Sequence, residues 1–157
     1  MADLYRLTYV SKNLIKGSEV ETSEAIEQIL DVSRHKNALV NITGTLMFNG
    51  RAFAQVLEGD RTDLDTIFDS IKNDHRHCKI NVLQYAITKK RNFSNWSMAF
   101  VGQSLHGNTV WGSLGDQSGF DVLRLDEGKI FSLMYRIVQM SEDTFPEHRH
   151  LQRPVNI

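Results

Sequence analysis

The pair Asn49-Gly50 stands between two β-patterned runs, Val40 to Phe48 and Arg51 to Glu58, and few short signals constrain a fold as tightly. A type I′ turn needs positive φ at both central residues, which Asn and Gly supply, so the two runs are predicted to fold back as a two-residue hairpin. Opposed positions then sum to a constant: Phe48 faces Arg51, Leu46 faces Phe53, Gly44 faces Gln55 and Ile42 faces Leu57. One face of the ribbon therefore carries Ile42, Leu46, Phe53 and Leu57, and with them Gln55.

The flanking segments supply the other elements. Leu4 to Val10 alternates, with Tyr5, Leu7 and Tyr9 on one strand face and Arg6 and Thr8 on the other, and a polar loop is expected from Ser11 to Gly17. Ser18 and Glu21 have capping-box spacing, and Ile26, Ile29, Leu30 and Ser33 follow at helical intervals, predicting a helix over 19–35. Asp60 to Asn73 places Leu64, Ile67, Phe68 and Ile71 at i, i+3, i+4 and i+7, a second amphipathic helix. Ile80 to Thr88 and Trp96 to Val101 read as two further strands joined by the basic turn Lys89-Lys90-Arg91. The order βαββαββ predicts a ferredoxin-like α+β sheet with two helices on one face. Beyond it, Ile130, Leu133, Met134, Ile137 and Val138 predict a C-terminal helix over 127–140, followed by a tail over 141–157 containing Pro146 and Pro154.

Composition narrows the function. Eighteen Lys+Arg against 19 Asp+Glu leave a formal net charge of −1, which provides no general field for a polyanion. A mean hydropathy of −0.33 and the absence of any long apolar run argue against a membrane span. The single cysteine, Cys78, cannot form an internal disulfide, and the N-terminus has no signal-peptide pattern, so a cytoplasmic location is expected.

Gln55 is the most informative single residue, because burying its amide without partners costs roughly 1–3 kcal/mol. With Gly44 opposite, the ordinary reading is a sheet edge or bulge where the amide reaches water. Other polar residues converge on the same place. The stripe of the first helix runs Ile26, Ile29, Ser33 and then Asn37, while that of the second runs Ile67, Ile71 and then Asp74, followed by Arg76 and His77. Singly, Asn37 is a helix cap, Asp74 a turn former, and Arg76 and His77 solvated surface. Together they frame a slot with apolar walls and a few placed amides, the form of a cofactor pocket, and Tyr9 can supply a phenol at its floor if its strand face is the helix-covered one. His148-Arg149-His150 lacks the remaining ligands of a zinc site, and no metal is expected. Cys78 and His77 point to opposite strand faces, and no Walker A motif or strand-linked GxGxxG is present.

In this order the residues resemble the BLUF family, sensors of blue light using FAD. The resemblance rests on Leu4-Tyr5-Arg6-Leu7 with Tyr9, Ser33-Arg34 with Asn37, Ile42-Thr43-Gly44, Phe53-Ala54-Gln55-Val56-Leu57-Glu58-Gly59, Asp74-His75-Arg76-His77, and Arg91-Asn92-Phe93 through Trp96-Ser97-Met98. It covers about residues 3–101 and implies a photosensor domain over 1–101, which leaves 102–157 as the C-terminal helical extension and tail read from the spacing above. It further implies a flavin between the two helices, FAD with FMN or riboflavin as alternatives. Asn37 would bind the pyrimidine edge, and Gln55 would bridge Tyr9 and the flavin N5/O4 region. Ile29, Ser33, Leu57 and Ile71 would line the pocket, with Asp74, Arg76 and His77 near the ring edge and ribityl-phosphate chain. Trp96 and Met98 match a last-strand pair that competes for the place beside the glutamine. The sequence departs from the family at Lys36, where Asn or His is frequent, and at Asn41, where Gly is common.

The implied protein is a photoreceptor and not an enzyme. It would be a homo-oligomer that passes its signal through the last strand and C-terminal extension to a separate signalling protein, since no cyclase, phosphodiesterase or kinase domain fits in the residues after 101. The rival readings are a flavin-dependent redox enzyme, which needs an open substrate face, and an RNA-binding or scaffold domain of the same topology. RNA recognition needs exposed aromatics and a basic field.

Overall fold

The computed structural model describes residues 3–48, 50–94 and 97–102. The expected C-terminal helix and tail, His148-Arg149-His150, Asn49 and Trp96 lie outside them. The described elements are β1 (Leu4–Asn13), α1 (Glu19–Leu39), β2 (Thr43–Phe48), β3 (Ala52–Asp60), α2 (Arg61–Lys72), β4 (His77–Ile87) and β5 (Ala99–Gly102).

The sheet order is β4-β1-β3-β2-β5. β1 runs antiparallel to β3 and β4, β2 and β3 form the antiparallel hairpin, and β5 adds to β2 in parallel. This is the ferredoxin-like arrangement read from the element order, extended by one edge strand. Both helices begin where side chains satisfy free backbone donors. Ser18 Oγ accepts from Glu21 N at 3.1 Å, and Asp60 Oδ1 accepts from Thr62 N at 2.9 Å. Acidic residues in the first turns and Lys36 and Lys72 in the last complement the helix dipoles.

The helix-covered face carries the core: Leu7 from β1, Leu46 and Phe48 from β2, Phe53 and Leu57 from β3, Ile26 and Leu30 from α1, and Leu64 from α2. Alternation sends Thr8, Val10, Thr45, Met47, Ala54 and Val56 to the opposite face, where they are also buried.

Several boundaries differ from the sequence reading, each for a local reason. α1 continues to Leu39 and closes in a Schellman arrangement. Ile42 N donates to Asn37 O at 2.9 Å and Asn41 N to Ala38 O at 3.4 Å, with Asn41 at φ 55°. Asn41 is thus a left-handed helix terminator and not a strand residue, a conformation that favours Gly or Asn. The hairpin exists, but Phe48 pairs with Phe53, Leu46 with Gln55 and Gly44 with Leu57, two positions from the expected register. The cause is β1, which runs on through the predicted loop: Lys12 pairs with Ala52, and Asn13 N donates to Arg51 O at 2.9 Å. Residues 51 and 52 are therefore engaged by β1 and are lost to a tight turn. A shift of two preserves the faces, so Gln55 still points with Leu57 and Phe53. β4 starts earlier than expected because Asn13 pairs with His77. β5 begins at Ala99, so Met98 precedes the strand.

Candidate functional site

Tyr9, Gln55 and Leu46 lie abreast across three neighbouring strands, with Gln55 in the middle. Gly44 does not open a gap opposite Gln55. A Cβ there would lie 2.0 Å from the carbonyl oxygen of Val56, so close strand approach explains the glycine.

Gln55 is buried with only 4% exposure, which excludes the water-facing edge position. The Tyr9 phenol donates to its Oε1, and its Nε2 donates to Met98 Sδ at 3.5 Å. The opposite amide orientation would turn Oε1 toward a thioether with no proton to give. Burial first, and the negative charge of Asp74 second, push the Tyr9 phenol well above its ordinary pKa, so it stays protonated as the donor. Its ring packs beside Phe68 and His77, with centroids at 5.6 and 6.2 Å.

The end of α1 grips the chain that brings in Met98. Asn37 Nδ2 donates to Ser97 O at 2.9 Å, and Arg34 Nε donates to Met98 O at 3.0 Å. Asn37 is 1% exposed and lies within the last turn of α1; Val40 is the cap. On the other side, Arg76 clasps the Asp74 carboxylate through Nε at 2.9 Å and Nη2 at 2.6 Å, which holds that carboxyl below its usual range. His77 approaches Ile71 O through Nε2 at 2.6 Å and Ser11 Oγ through Nδ1 at 2.7 Å. A carbonyl only accepts, so Nε2 carries a proton, and the two contacts hold the ring in one orientation.

These groups surround a cavity of about 190 Å³ between the helices and the sheet. Ile29, Ser33 and Asn37 line it from α1, Ile71 from α2, Tyr9 and Gln55 from the sheet, and Asp74, Arg76 and His77 from the connection and start of β4. All were candidates from the sequence. Leu57 was another, but it is fully buried in the core and is not part of this lining. The sequence reading passed over Phe53 and Leu46 as lining residues, although both share the face of Gln55, whereas Ile67 stood in the helix stripe that framed the slot. It assigned no role to Val32 or Ser70, and none to Arg34 and Ser97, whose part depends on a contact some sixty residues away along the chain.

The model for sensors of blue light using FAD matches residues 4–99, well over half of the chain. The chain belongs to the BLUF family. The BLUF domain is 31% identical over 86 residues to the blue light- and temperature-regulated antirepressor BluF of Escherichia coli K12, covering 55% of this chain and 21% of that protein. It is also 31% identical over 96 residues to the photoactivated adenylate cyclase subunit beta of Euglena gracilis, covering 61% of this chain and 11% of the relative. The chain therefore spans only a small part of these curated relatives. Among solved structures, the dark state of the BLUF protein BlrB superposes with a TM-score of 0.72 at 28% identity, over 90% of this chain and 98% of that one. The photo-activated state of BlsA gives 0.68 at 27%, over 85% and 94%. No helix among the described residues is long and apolar enough to cross a membrane.

The cavity suits a flavin on its own chemistry. Its walls are apolar, and it holds a buried amide whose Nε2 has a thioether, a weak acceptor, as its partner. A planar ring edged with carbonyl and imine acceptors provides what that donor lacks.

Proposed function

We propose that the chain is a blue-light photoreceptor that binds FAD in this cavity and signals by rearranging the hydrogen bonds of Gln55. The observation that carries this reading is the placement of Gln55 between the Tyr9 phenol and Met98. A bound flavin supplies the chromophore and an electron acceptor. Ile29 and Ile71 would hold the flavin ring, Asn37 and Gln55 would bond its polar edge, and Asp74, Arg76 and His77 would bind toward its ribityl-phosphate chain. Tyr9 is a neutral phenol able to yield an electron and its proton. Once the phenol no longer donates, nothing favours Oε1 facing it, and the amide is free to reorient or tautomerise. Two arrangements of one buried amide then store the light signal without turnover of any substrate.

Output passes through Met98 and β5 to the C-terminal extension over 102–157, and from there to a separate effector protein in the cytoplasm, with the photosensor working as a homo-oligomer. Trp96 is the alternative occupant of the place beside Gln55. The enzyme reading needs an open substrate face beside the flavin, whereas side chains from both helices and the sheet line this cavity.

The decisive experiment is the absorption spectrum of the purified protein before and after blue light, with mass analysis of the released chromophore. The expected result is a structured flavin spectrum that shifts slightly to the red without bleaching, and release of FAD. A colourless protein that takes up none of FAD, FMN or riboflavin removes the photoreceptor reading.

A further inference from the structure

Glu58 is a carboxylate without solvent exposure, on the sheet face turned away from the cavity. Its cross-strand neighbour Arg6 donates to Oε2 through Nε at 3.0 Å and Nη2 at 2.8 Å. Asn92 N and Phe93 N both donate to Oε1 at 2.9 Å, and Asn92 N lies 3.1 Å from Oε2. Arg91 Nη1 donates to Thr43 Oγ1 and to the backbone carbonyl of Glu58, both at 2.9 Å. The segment Arg91 to Phe93 is thus tied to the ends of β2 and β3, and Phe93 itself is buried.

A buried ion pair contributes little net stability compared with apolar groups of the same volume, so stability alone is a poor account of it. What it does here is position. Met98 follows Phe93 by five residues, and the chain around it is held by Asn37, Arg34 and Gln55. Gln55 and Glu58 sit three residues apart on opposite faces of β3, so one strand grips both ends of one short segment.

We infer that Glu58 is a positioning residue of the switch: by anchoring Asn92 and Phe93 it sets the course of the following chain and holds Met98 against Gln55. This rests on the photoreceptor reading above. That segment gives a change at Glu58 a route to the amide on the far side of the sheet that runs through Met98, distinct from the route along β3 itself.

Glu58→Gln tests it, since one amide oxygen cannot serve Arg6 and two backbone donors, and its NH2 adds a further donor among them. In the dark, Ser97 and Met98 are expected to lose amide-exchange protection together with Asn92 and Phe93, with flavin retained. Thermal recovery after blue light is expected to change by about fivefold in the otherwise native chain and by less than about twofold in a Met98→Ala background, because the two residues act through one contact. An equal change in both backgrounds, no change in either, or lost protection confined to Asn92 and Phe93 overturns the assignment. Glu58→Asp keeps the charge beside Arg6 but shortens the reach; it is expected to give the same pattern at lower amplitude, and serves if the Gln variant does not fold. A native chain that binds flavin and cycles while Glu58→Gln behaves like it overturns this inference alone. A native chain without a photocycle overturns the photoreceptor reading and this inference with it.

Discussion

Tyr9 and Gln55 stand directly opposite each other in the β1–β3 ladder, and the Tyr9 phenol donates to Gln55 Oε1. The pairing determines which way the amide points, because the oxygen is claimed by the phenol and the nitrogen is left for Met98. Removal of the phenol's proton therefore changes the preferred state of a group that contacts the last described segment of the chain.

Tyr9→Phe and Gln55→Leu are each expected to retain flavin and lose the normal light-induced red shift, since each removes a hydrogen-bonding partner and leaves the apolar walls. Asn37→Ala should instead weaken flavin retention by about tenfold, the loss of one hydrogen bond to ligand, and it also frees Ser97 O. Flavin-to-protein ratios after gel filtration and light-minus-dark spectra check both. Normal photocycles in both Tyr9→Phe and Gln55→Leu would sink the mechanism.

Met98→Ala keeps Tyr9 and Gln55 intact, so a flavin red shift is expected to remain. The contact that ties Gln55 to the chain leading into β5 is lost, and light-dependent hydrogen exchange over 102–140 should fall. If the native protein shows no light-dependent exchange difference anywhere in that span, the output route is wrong.

Gly44→Ala forces a methyl carbon to within 2.0 Å of the Val56 carbonyl oxygen unless the strands separate. The expected cost is roughly 1–3 kcal/mol, read as a lower urea midpoint at unchanged slope. A midpoint equal to that of the native chain would show that β2 and β3 part without penalty.

The raised pKa of the Tyr9 phenol makes a prediction at alkaline pH. In the unfolded chain a tyrosine ionises above about pH 10, whereas the folded Tyr9 stays neutral there. Deprotonation thus favours the unfolded chain, so the stabilisation is fully present below about pH 10 and declines as pH rises further. Urea midpoints of the native chain should fall more steeply between pH 9 and pH 11 than those of Tyr9→Phe, a comparison in which the other titrating groups cancel. Parallel slopes would place Tyr9 in water.

The sequence by itself determined what depends on near neighbours along the chain. Period-2 and period-3.6 patterns predict the strands and helices, Ser18 and Asp60 mark the helix starts, and alternation puts Gln55 on the helix-covered face whatever the hairpin register, because a shift of two preserves the face. The spaced motifs also located Tyr9, Asn37, Gln55, Asp74, Arg76 and His77, all of which line the cavity. Only the tertiary structure decided the rest. The hairpin register depends on β1 engaging residues 51 and 52 through Lys12 and Asn13, two polar residues in a stretch that no periodicity announces as strand. Asn41 ends a helix because it adopts a left-handed conformation that Asn shares with Gly, and that choice is invisible until the chain turns. Arg34, Glu58, Ser97 and Met98 acquire their parts through contacts between positions at least thirty residues apart. Local propensity describes how each segment is shaped, while the partner of a buried polar group is settled only when packing removes water and leaves it one place to bond.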